Sequence, residues 1–187
     1  MMGVHIMHDV EKNQDWVEVK GDYEQFYVYG DNEDYVEDTK LLMQKMAITC
    51  FTFPLYVHFE GYEDEVESVL SHQDTFDIYY QPSGRKVLTM SGLKIYRAEI
   101  PSFMVTIPNK KALENVFSQW FHLAMENNMW LISQEANVLY YENKFATIEL
   151  KDQAIILVTE HDAQGFSVIT NYPLYQDLEY LRLIFDK

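Results

Sequence analysis

A histidine and a glutamate stand two positions apart in the most regular alternating segment of the chain. Residues 51–60 alternate between apolar and polar side chains, so His58 and Glu60 share one face of a predicted strand. A base oriented by a carboxylate is an arrangement used in general acid–base catalysis. The nearest thiol, Cys50, lies eight residues before His58, which is about 26 Å along one strand. We therefore expect His58 and Glu60 to form an ordinary polar sheet face, and Cys50 to be a half-buried apolar residue.

Two lysines occupy the first turn of a helix that is predicted to follow Asn109. The helix macrodipole disfavours cations at this end, so Lys110 and Lys111 break a local rule. A helix N-terminus with two lysines is suited to holding an anion, although both side chains can equally extend into water. Lys110 and Lys111 are therefore a candidate anion-binding site.

The acidic residues concentrate in two clusters, each at the start of a predicted helix. One or two carboxylates at a helix start complement the dipole and cap free amides, but a larger number repel one another. We therefore predict that these residues bind a partner. The first acidic cluster is Asp31, Glu33, Asp34, Glu37 and Asp38. At the start of the second predicted helix stand five acidic residues, Glu60, Glu63, Asp64, Glu65 and Glu67. We call the three of them that fall opposite the apolar side of this helix, Glu63, Asp64 and Glu67, the second acidic cluster.

The charge of the chain is distributed unevenly. The 187 residues include 30 acidic and 14 basic side chains, for a net charge of −16. Residues 1–80 hold 18 acidic and 4 basic residues (4 − 18 = −14), whereas residues 81–187 hold 12 and 10 (10 − 12 = −2). The acidic half is also rich in tyrosine, a residue favoured at interface cores. Because this half repels phosphates, we expect a basic protein partner and neither direct nucleic-acid binding nor membrane binding.

The common signatures of catalytic and cofactor sites are missing from the sequence. It contains no Walker loop, GxGxxG, HExxH or GxSxG motif. A single cysteine makes neither an intrachain disulfide nor a cysteine zinc cage. We expect no catalytic residues, no metal and no cofactor. The first residues have neither the basic nor the apolar segment of a signal peptide, and a cytoplasmic location is expected.

The hydrophobic periodicity predicts an α+β fold with a mostly antiparallel sheet or sheets of short strands. Three main helices are predicted at about 32–47, 62–72 and 110–127. The chain is expected to form a single domain, 1–187, with residues 1–15 flexible. Pro54 lacks a backbone donor, so the strand that contains it is predicted to lie at a sheet edge or to carry a bulge.

These features favour a non-enzymatic, acidic protein-binding module, namely an inhibitor or immunity-type protein that engages a basic, nucleic-acid-processing protein. One alternative is a small enzyme or ligand-binding protein with a polar pocket between the sheet and the third helix, lined by His58, Glu60, Lys110 and Lys111. Another is a regulatory adaptor subunit that binds through an exposed apolar patch. A convex acidic surface would favour the first function, and a polar cavity would favour the enzyme.

Overall fold

A computed structural model describes residues 3–12 and 16–186. This part of the chain forms eleven β-strands and five α-helices, together with three short 3-10 turns. The strands are β1 Val4–His8, β2 Val17–Lys20, β3 Glu24–Gly30, β4 Leu55–Glu60, β5 Asp77–Ser91, β6 Lys94–Ile107, β7 Trp130–Ser133, β8 Leu139–Glu142, β9 Phe145–Glu149, β10 Ile155–Thr159 and β11 Phe166–Thr170. The helices are α1 Tyr35–Cys50, α2 Val66–Leu70, α3 Lys110–Trp120, α4 His122–Met125 and α5 Leu178–Phe185.

Eight strands form one large sheet, in the order β1-β3-β11-β10-β7-β4-β6-β5. Every pairing within this sheet is antiparallel. A second, three-stranded sheet has the order β2-β9-β8, and its β2–β9 pair is parallel. The α+β class and the mostly antiparallel pairing that the sequence predicts are therefore confirmed.

One face of the large sheet is covered by helices. The alternating residues Val57 and Phe59 of β4 face this layer and share a core with the buried side of α3. The Trp120 ring stacks on Phe59 with the centroids 5.4 Å apart, and Phe117 packs against Trp130. Helices α1 and α5 cover the other end of the same face and join the same core. The alternation of residues 51–60 and the periodicity that predicted a helix at 110–127 therefore both correspond to burial in this core.

The opposite face of the large sheet is covered by the three-stranded sheet. Its second core joins Leu131, Ile156 and Val158 of the large sheet to Ala146 and Ile148 of β9. All residues of β7, β10 and β11 are buried as a result. The molecule thus has three layers, with the large sheet in the middle.

The helix boundaries differ from the predicted ones. The first helix begins at Tyr35 rather than at residue 32, because Asp34 provides the N-cap and accepts a hydrogen bond from the Glu37 amide at 3.0 Å. The predicted helix at 62–72 is a 3-10 turn, Glu63–Glu65, followed by the short helix α2. The third helix ends at Trp120, and α4 continues after it. Predicted helices at 32–47, 62–72 and 110–127 are thus correct in position but not in length.

Two expectations about strands are wrong. Residues 1–15 are not wholly flexible, because Val4–His8 pairs with β3 along its full length and buries Ile6; residues 1, 2 and 13–15 lie outside the described residues. The strand after Pro54 is not at an edge, since β4 lies between β7 and β6. Pro54 precedes the first residue of β4, so the missing donor removes no ladder bond.

The buried ring of Trp120 provides a test of the helix layer. It contacts Phe59, Phe76 and His72, with ring centroids 5.4–5.5 Å apart. We expect Trp120→Ala to lower the free energy of unfolding by about 3–5 kcal/mol, because the cavity cannot fully collapse between two layers. Urea unfolding followed by circular dichroism measures this change. A loss below about 1 kcal/mol would show that α3 does not pack as part of the core.

Candidate functional site: an acidic edge of the large sheet

The directions of two strands bring the two acidic clusters to the same edge of the large sheet. β3 ends at Gly30, directly before the first cluster, and β4 ends at Glu60, directly before the second. Four antiparallel pairings separate β3 from β4, so the two strands run in the same direction. Four strand spacings put the two strand ends about 19 Å apart.

Two loops between these strands add further carboxylates to this edge. β10 ends at Thr159 and β7 begins at Trp130, so the loops 160–165 and 126–129 emerge between the clusters. They carry Asp162 and the exposed Glu126. We call the whole set the acidic edge: Asp31, Glu33, Asp34, Glu37, Glu63, Asp64, Glu67, Glu126 and Asp162.

Hydrogen bonds join the segments of the acidic edge into one continuous rim. Thr39 of α1 accepts from the Gly165 amide at 2.7 Å. The Asp162 amide donates to Asn127 Oδ1 at 3.0 Å, which connects the 160–165 loop to the 126–129 loop. The Tyr62 hydroxyl then donates to the Glu126 carbonyl at 3.2 Å. The carboxylates therefore stand on segments that support one another.

Four residues of the first acidic cluster are exposed, and one is not. Asp31 accepts from the Gly3 amide at 2.7 Å, and Glu37 lies 3.4 Å from the Lys40 ammonium. Glu33 and the cap residue Asp34 are also exposed. Asp38 is the exception, because it is buried beneath the turn that precedes α1.

Asp38 has a structural role instead of the predicted binding role. Its carboxylate accepts from the Asn32 backbone amide at 3.0 Å and from the Asn32 side chain at 2.6 Å. A Cβ atom on Gly30 would collide with this carboxylate, which explains the glycine at the end of β3. Asp38 must therefore be removed from the partner-binding residues that the sequence predicts, because a buried, bonded carboxylate is not accessible to a partner.

The three residues of the second acidic cluster are all exposed. Glu63 and Asp64 lie in the 3-10 turn, and Glu67 lies in the first turn of α2. Glu65 completes this turn by accepting from the Tyr62 amide at 3.2 Å. The exposed ring of Tyr62 and the exposed ring of Tyr35 flank the two clusters. The edge thus combines carboxylates with amphipathic rings, which are favoured where proteins bind each other.

Glu126 and Asp162 are the residues that sequence analysis missed. Glu126 is an isolated acidic residue and Asp162 has only Glu160 near it, so neither forms an acidic cluster in the sequence. In an antiparallel sheet, the direction of a strand determines at which edge the loop before or after it lies. With the strand order known, this rule assigns both loops to the same edge. The strand order itself is not readable from one sequence.

His58 and Glu60 lie on the face of β4 away from α3. His58 Nε2 is 3.1 Å from Ser133 Oγ, and burial lowers the pKa of His58 to about 4. Glu60 accepts from the Tyr141 hydroxyl at 3.0 Å and pairs with Arg85. Burial raises the pKa of Glu60, and the Arg85 charge and the Tyr141 hydrogen bond oppose this shift. Both groups are therefore engaged inside the protein.

The polar pocket proposed between the sheet and the third helix is not formed by the four predicted residues. His58 and Glu60 face the three-stranded sheet, whereas α3 packs on the opposite face of β4. Lys110 is exposed and lies 3.8 Å from Glu114, and Lys111 is also exposed. Asn109 Oδ1 already accepts from the Ala112 amide at 3.0 Å. The anion-binding role of Lys110 and Lys111 stays a prediction.

Cys50 lies at the end of α1 and is partly buried. Burial raises the pKa of its thiol to about 11. The thiol is therefore protonated at neutral pH, and a protonated thiol is a poor nucleophile.

A concave pocket of about 430 Å³ lies on the open part of the large sheet, on the face away from the helices. Its polar lining includes His8, Asp9, Glu160 and His161, around the ring of Tyr27. Gln25 bridges Asp9 and Ser167 beneath it, at 3.1 Å from each. Sequence analysis missed this pocket because its residues come from four separate segments.

The buried carboxylate of Asp38 provides a stability test of the rim. We expect Asp38→Ala to lower the free energy of unfolding by about 2 kcal/mol, because two hydrogen bonds to a charged acceptor are lost. The control Glu33→Ala removes an exposed carboxylate from the same turn and should change stability by less than about 0.5 kcal/mol. Equal effects of the two substitutions in urea unfolding would contradict the structural role of Asp38.

The neutral, buried His58 makes a definite prediction about pH. Its pKa falls from 6.5 to about 4 on folding, so the unfolded chain binds a proton first as the pH drops. The stability that neutral His58 contributes is therefore complete above pH 6.5 and is lost as the pH falls towards 4. The variant His58→Gln does not titrate in this range.

Urea unfolding of both proteins measures this contribution. The stability of the original protein relative to His58→Gln should fall by about 2–3 kcal/mol between about pH 7.5 and pH 4.5. The comparison cancels the other titrating groups, because both proteins share them. If the difference in free energy of unfolding between the two proteins does not change with pH, this result would contradict the burial of His58.

No family model matches the chain, and no curated protein or solved structure is similar to it at a significant level. Within residues 3–12 and 16–186, no helix is long and apolar enough to cross a membrane. The same residues contain no group of three or more His, Cys, Asp or Glu side chains arranged to hold a metal ion.

Proposed function

We propose that this protein is a non-enzymatic binding module that engages a basic protein through the acidic edge. The proposal rests on one observation: β3 and β4 run in the same direction, so the two clusters that follow them lie at one edge of one sheet. The clusters are 25 or more residues apart in the chain. Capping a helix and complementing its dipole requires only one or two carboxylates at each helix start, which is fewer than either cluster contains. Seven exposed carboxylates of the edge come from the two predicted clusters, and Glu126 and Asp162 extend the row between them.

The physical properties of the edge suit recognition of a basic surface. Its carboxylates stand on hydrogen-bonded loops and turns at the ends of buried strands, so little conformational freedom is lost on binding. A field of one sign over this span attracts a basic protein and accelerates association. The exposed rings of Tyr35 and Tyr62 supply apolar contact area beside the charges.

The class of partner that fits best is a nucleic-acid-processing protein. Such proteins neutralise phosphates with lysine and arginine side chains that are arranged along a groove. A row of carboxylates about 19 Å long offers the same groove an alternative anion. The proposed consequence is inhibition by occupation of that groove, as an inhibitor or immunity-type protein would achieve it.

Binding of a small cationic ligand is a second candidate function, and it rests on the pocket of about 430 Å³. This volume lies within the usual range for small-molecule sites. Asp9 and Glu160 place two carboxylates in the lining of this pocket. A thermal-shift screen of amines against carboxylates would favour this function only if amines raise the melting temperature, and if Tyr27→Ala removes the effect.

Charge reversals at the two ends of the edge test the proposed function. We expect Glu33→Lys with Glu37→Lys, and separately Glu63→Lys with Asp64→Lys, each to weaken binding of a basic partner at least about tenfold. These side chains are exposed, so the fold should be retained. The partner is captured on the immobilised protein from a lysate of the cells in which this protein occurs, and is then purified. Its binding to each variant is measured by biolayer interferometry.

The matched control reverses two carboxylates at the opposite edge. Asp22→Lys with Asp152→Lys changes the net charge by the same amount, and both residues are exposed at the other ends of the strands. This control should bind the partner with a dissociation constant within about twofold of that of the original protein. The association of the original protein with the partner should slow several-fold as the salt concentration rises to about 0.15 M. An equal loss of affinity in the edge variants and in the control variant would contradict the proposal.

A further inference from the structure

The two longest strands continue beyond the acidic edge as a separate arm. β4 ends at Glu60, opposite Ser102 of β6, but β5 and β6 stay paired from Lys86–Glu99 to Ser91–Lys94. These six pairs span about 20 Å and lie beyond the last residue of β4. We call residues 84–98 the arm; it is a two-stranded ribbon with Gly92 in its turn, and Glu99, the ladder partner of Lys86, lies at its base.

The arm exposes an unusual amount of apolar surface. Leu88, Met90 and Ile95 each keep 71% of their surface accessible, and Leu93 at the turn is fully exposed. An isolated two-stranded ribbon is only marginally stable in water. A long edge strand with exposed apolar side chains also invites pairing with another chain. The exposed apolar side chains of the arm therefore favour its contact with another protein surface.

The charge of the arm is opposite to that of the rest of the protein. Residues 84–98 contain Arg85, Lys86, Lys94 and Arg97 and no acidic residue, so the arm carries +4. The remainder of the chain therefore carries −20, from −16 − 4. Arg85 is already paired with Glu60 at the base of the arm, whereas Lys86, Lys94 and Arg97 are exposed. The arm thus offers three cations beside its apolar side chains.

A groove beside the arm has the complementary chemistry. Its volume is about 590 Å³, and it lies between the arm and the second acidic cluster. One wall carries Glu63, Asp64 and the exposed ring of Tyr62. The other wall is the arm itself with the residue that follows it, and its side chains include Val87, Leu88, Met90, Tyr96 and Glu99. An occupant of this groove must therefore be basic and apolar at once.

The arm itself meets this requirement, because it carries both exposed apolar and exposed basic side chains. We propose that the arm of one molecule docks in the groove of a second copy, while the second arm docks in the first groove. Because arm and groove adjoin in each molecule, the two exchanges are equivalent and related by a two-fold axis. The lysine and arginine side chains of each arm would then face Glu63 and Asp64 of the other copy, and the exposed apolar residues would be covered.

Charge complementarity favours a second copy over the other possible occupants. An anionic membrane or a nucleic acid would attract the arm but repel a body of −20 beside it. A second copy presents the arm with carboxylates and apolar groups together. The dimer would cover Glu63 and Asp64, so a basic partner and a second copy would compete for that end of the acidic edge.

Sedimentation velocity of the full chain tests the proposal through the apolar contact. The original protein should form a dimer at micromolar concentration. Leu88→Glu with Met90→Glu should raise the dimer dissociation constant at least about tenfold. The control Leu41→Glu with Leu183→Glu alters two exposed leucines on α1 and α5, away from the arm, and should leave the dimer intact. Urea unfolding of each variant verifies that the fold is retained.

A charge exchange tests whether arm and groove meet. Lys94→Glu with Arg97→Glu reverses the arm, and Glu63→Lys with Asp64→Lys reverses the groove; each variant alone should be monomeric. A mixture of the two should form a heterodimer, because each arm then finds a groove of opposite charge. The arm variant retains the first acidic cluster, so its binding to a basic partner separates a failure of this proposal from a failure of the proposed function.

Three results would overturn the proposal. The first is an original protein that stays monomeric at all concentrations and salt levels tested. The second is a dimer that survives both arm variants, or a mixture of charge variants that stays monomeric. The third is binding of the original protein, but not of the arm variants, to vesicles of anionic phospholipid without any dimer in solution.

Discussion

The burial of the large sheet on both faces is the constraint on which the rest of the structure depends. Strands β7, β10 and β11 contribute apolar residues to a helix-covered core and to a second core beneath the small sheet. Near-continuous apolar strands do not specify their register by alternation alone. Buried polar contacts supply further information: His58 meets Ser133 and Gln25 meets Ser167, and a shift of register would break both hydrogen bonds.

The acidic edge is a consequence of this register. Once the central strands are paired, β3 and β4 run in the same direction and deliver both clusters to one side. The loops between them fall on the same side, and their hydrogen bonds through Thr39, Asn127 and Tyr62 hold the rim together. Mutual repulsion of the carboxylates is tolerated because the strands beneath them are held by two cores. A surface of high charge density is thus supported by the most deeply buried part of the molecule.

The buried ionisable groups have a different role from that of the edge. Asp38 organises the turn before α1, and Glu60 with Arg85 anchors the base of the arm against Tyr141 of the small sheet. His58 stays neutral because no charge compensates for its burial. These residue types are common in active sites, but here their partners are other residues of the scaffold. Their chemistry is used to specify the fold.

The sequence by itself determined the class of fold and the position of most elements. Apolar periodicity located β4 and the positions of α1, α2 and α3, because the local spacing of apolar side chains reflects burial directly. Composition also located the acidic half. The N-terminal strand escaped prediction because Val4–His8 is only five residues long and lies within a segment that is otherwise polar, and it is held by pairing with β3 and by the burial of Ile6.

Only the tertiary structure decided which residues share a surface. The large sheet pairs segments that are far apart in the chain, such as Glu24 of β3 with Thr170 of β11 (170 − 24 = 146 residues), and such pairings leave no local signature. It buried Asp38, separated His58 and Glu60 from Lys110 and Lys111, and added Glu126 and Asp162 to the acidic edge. Local periodicity reports whether a side chain is buried, whereas strand order and direction determine which side chains meet.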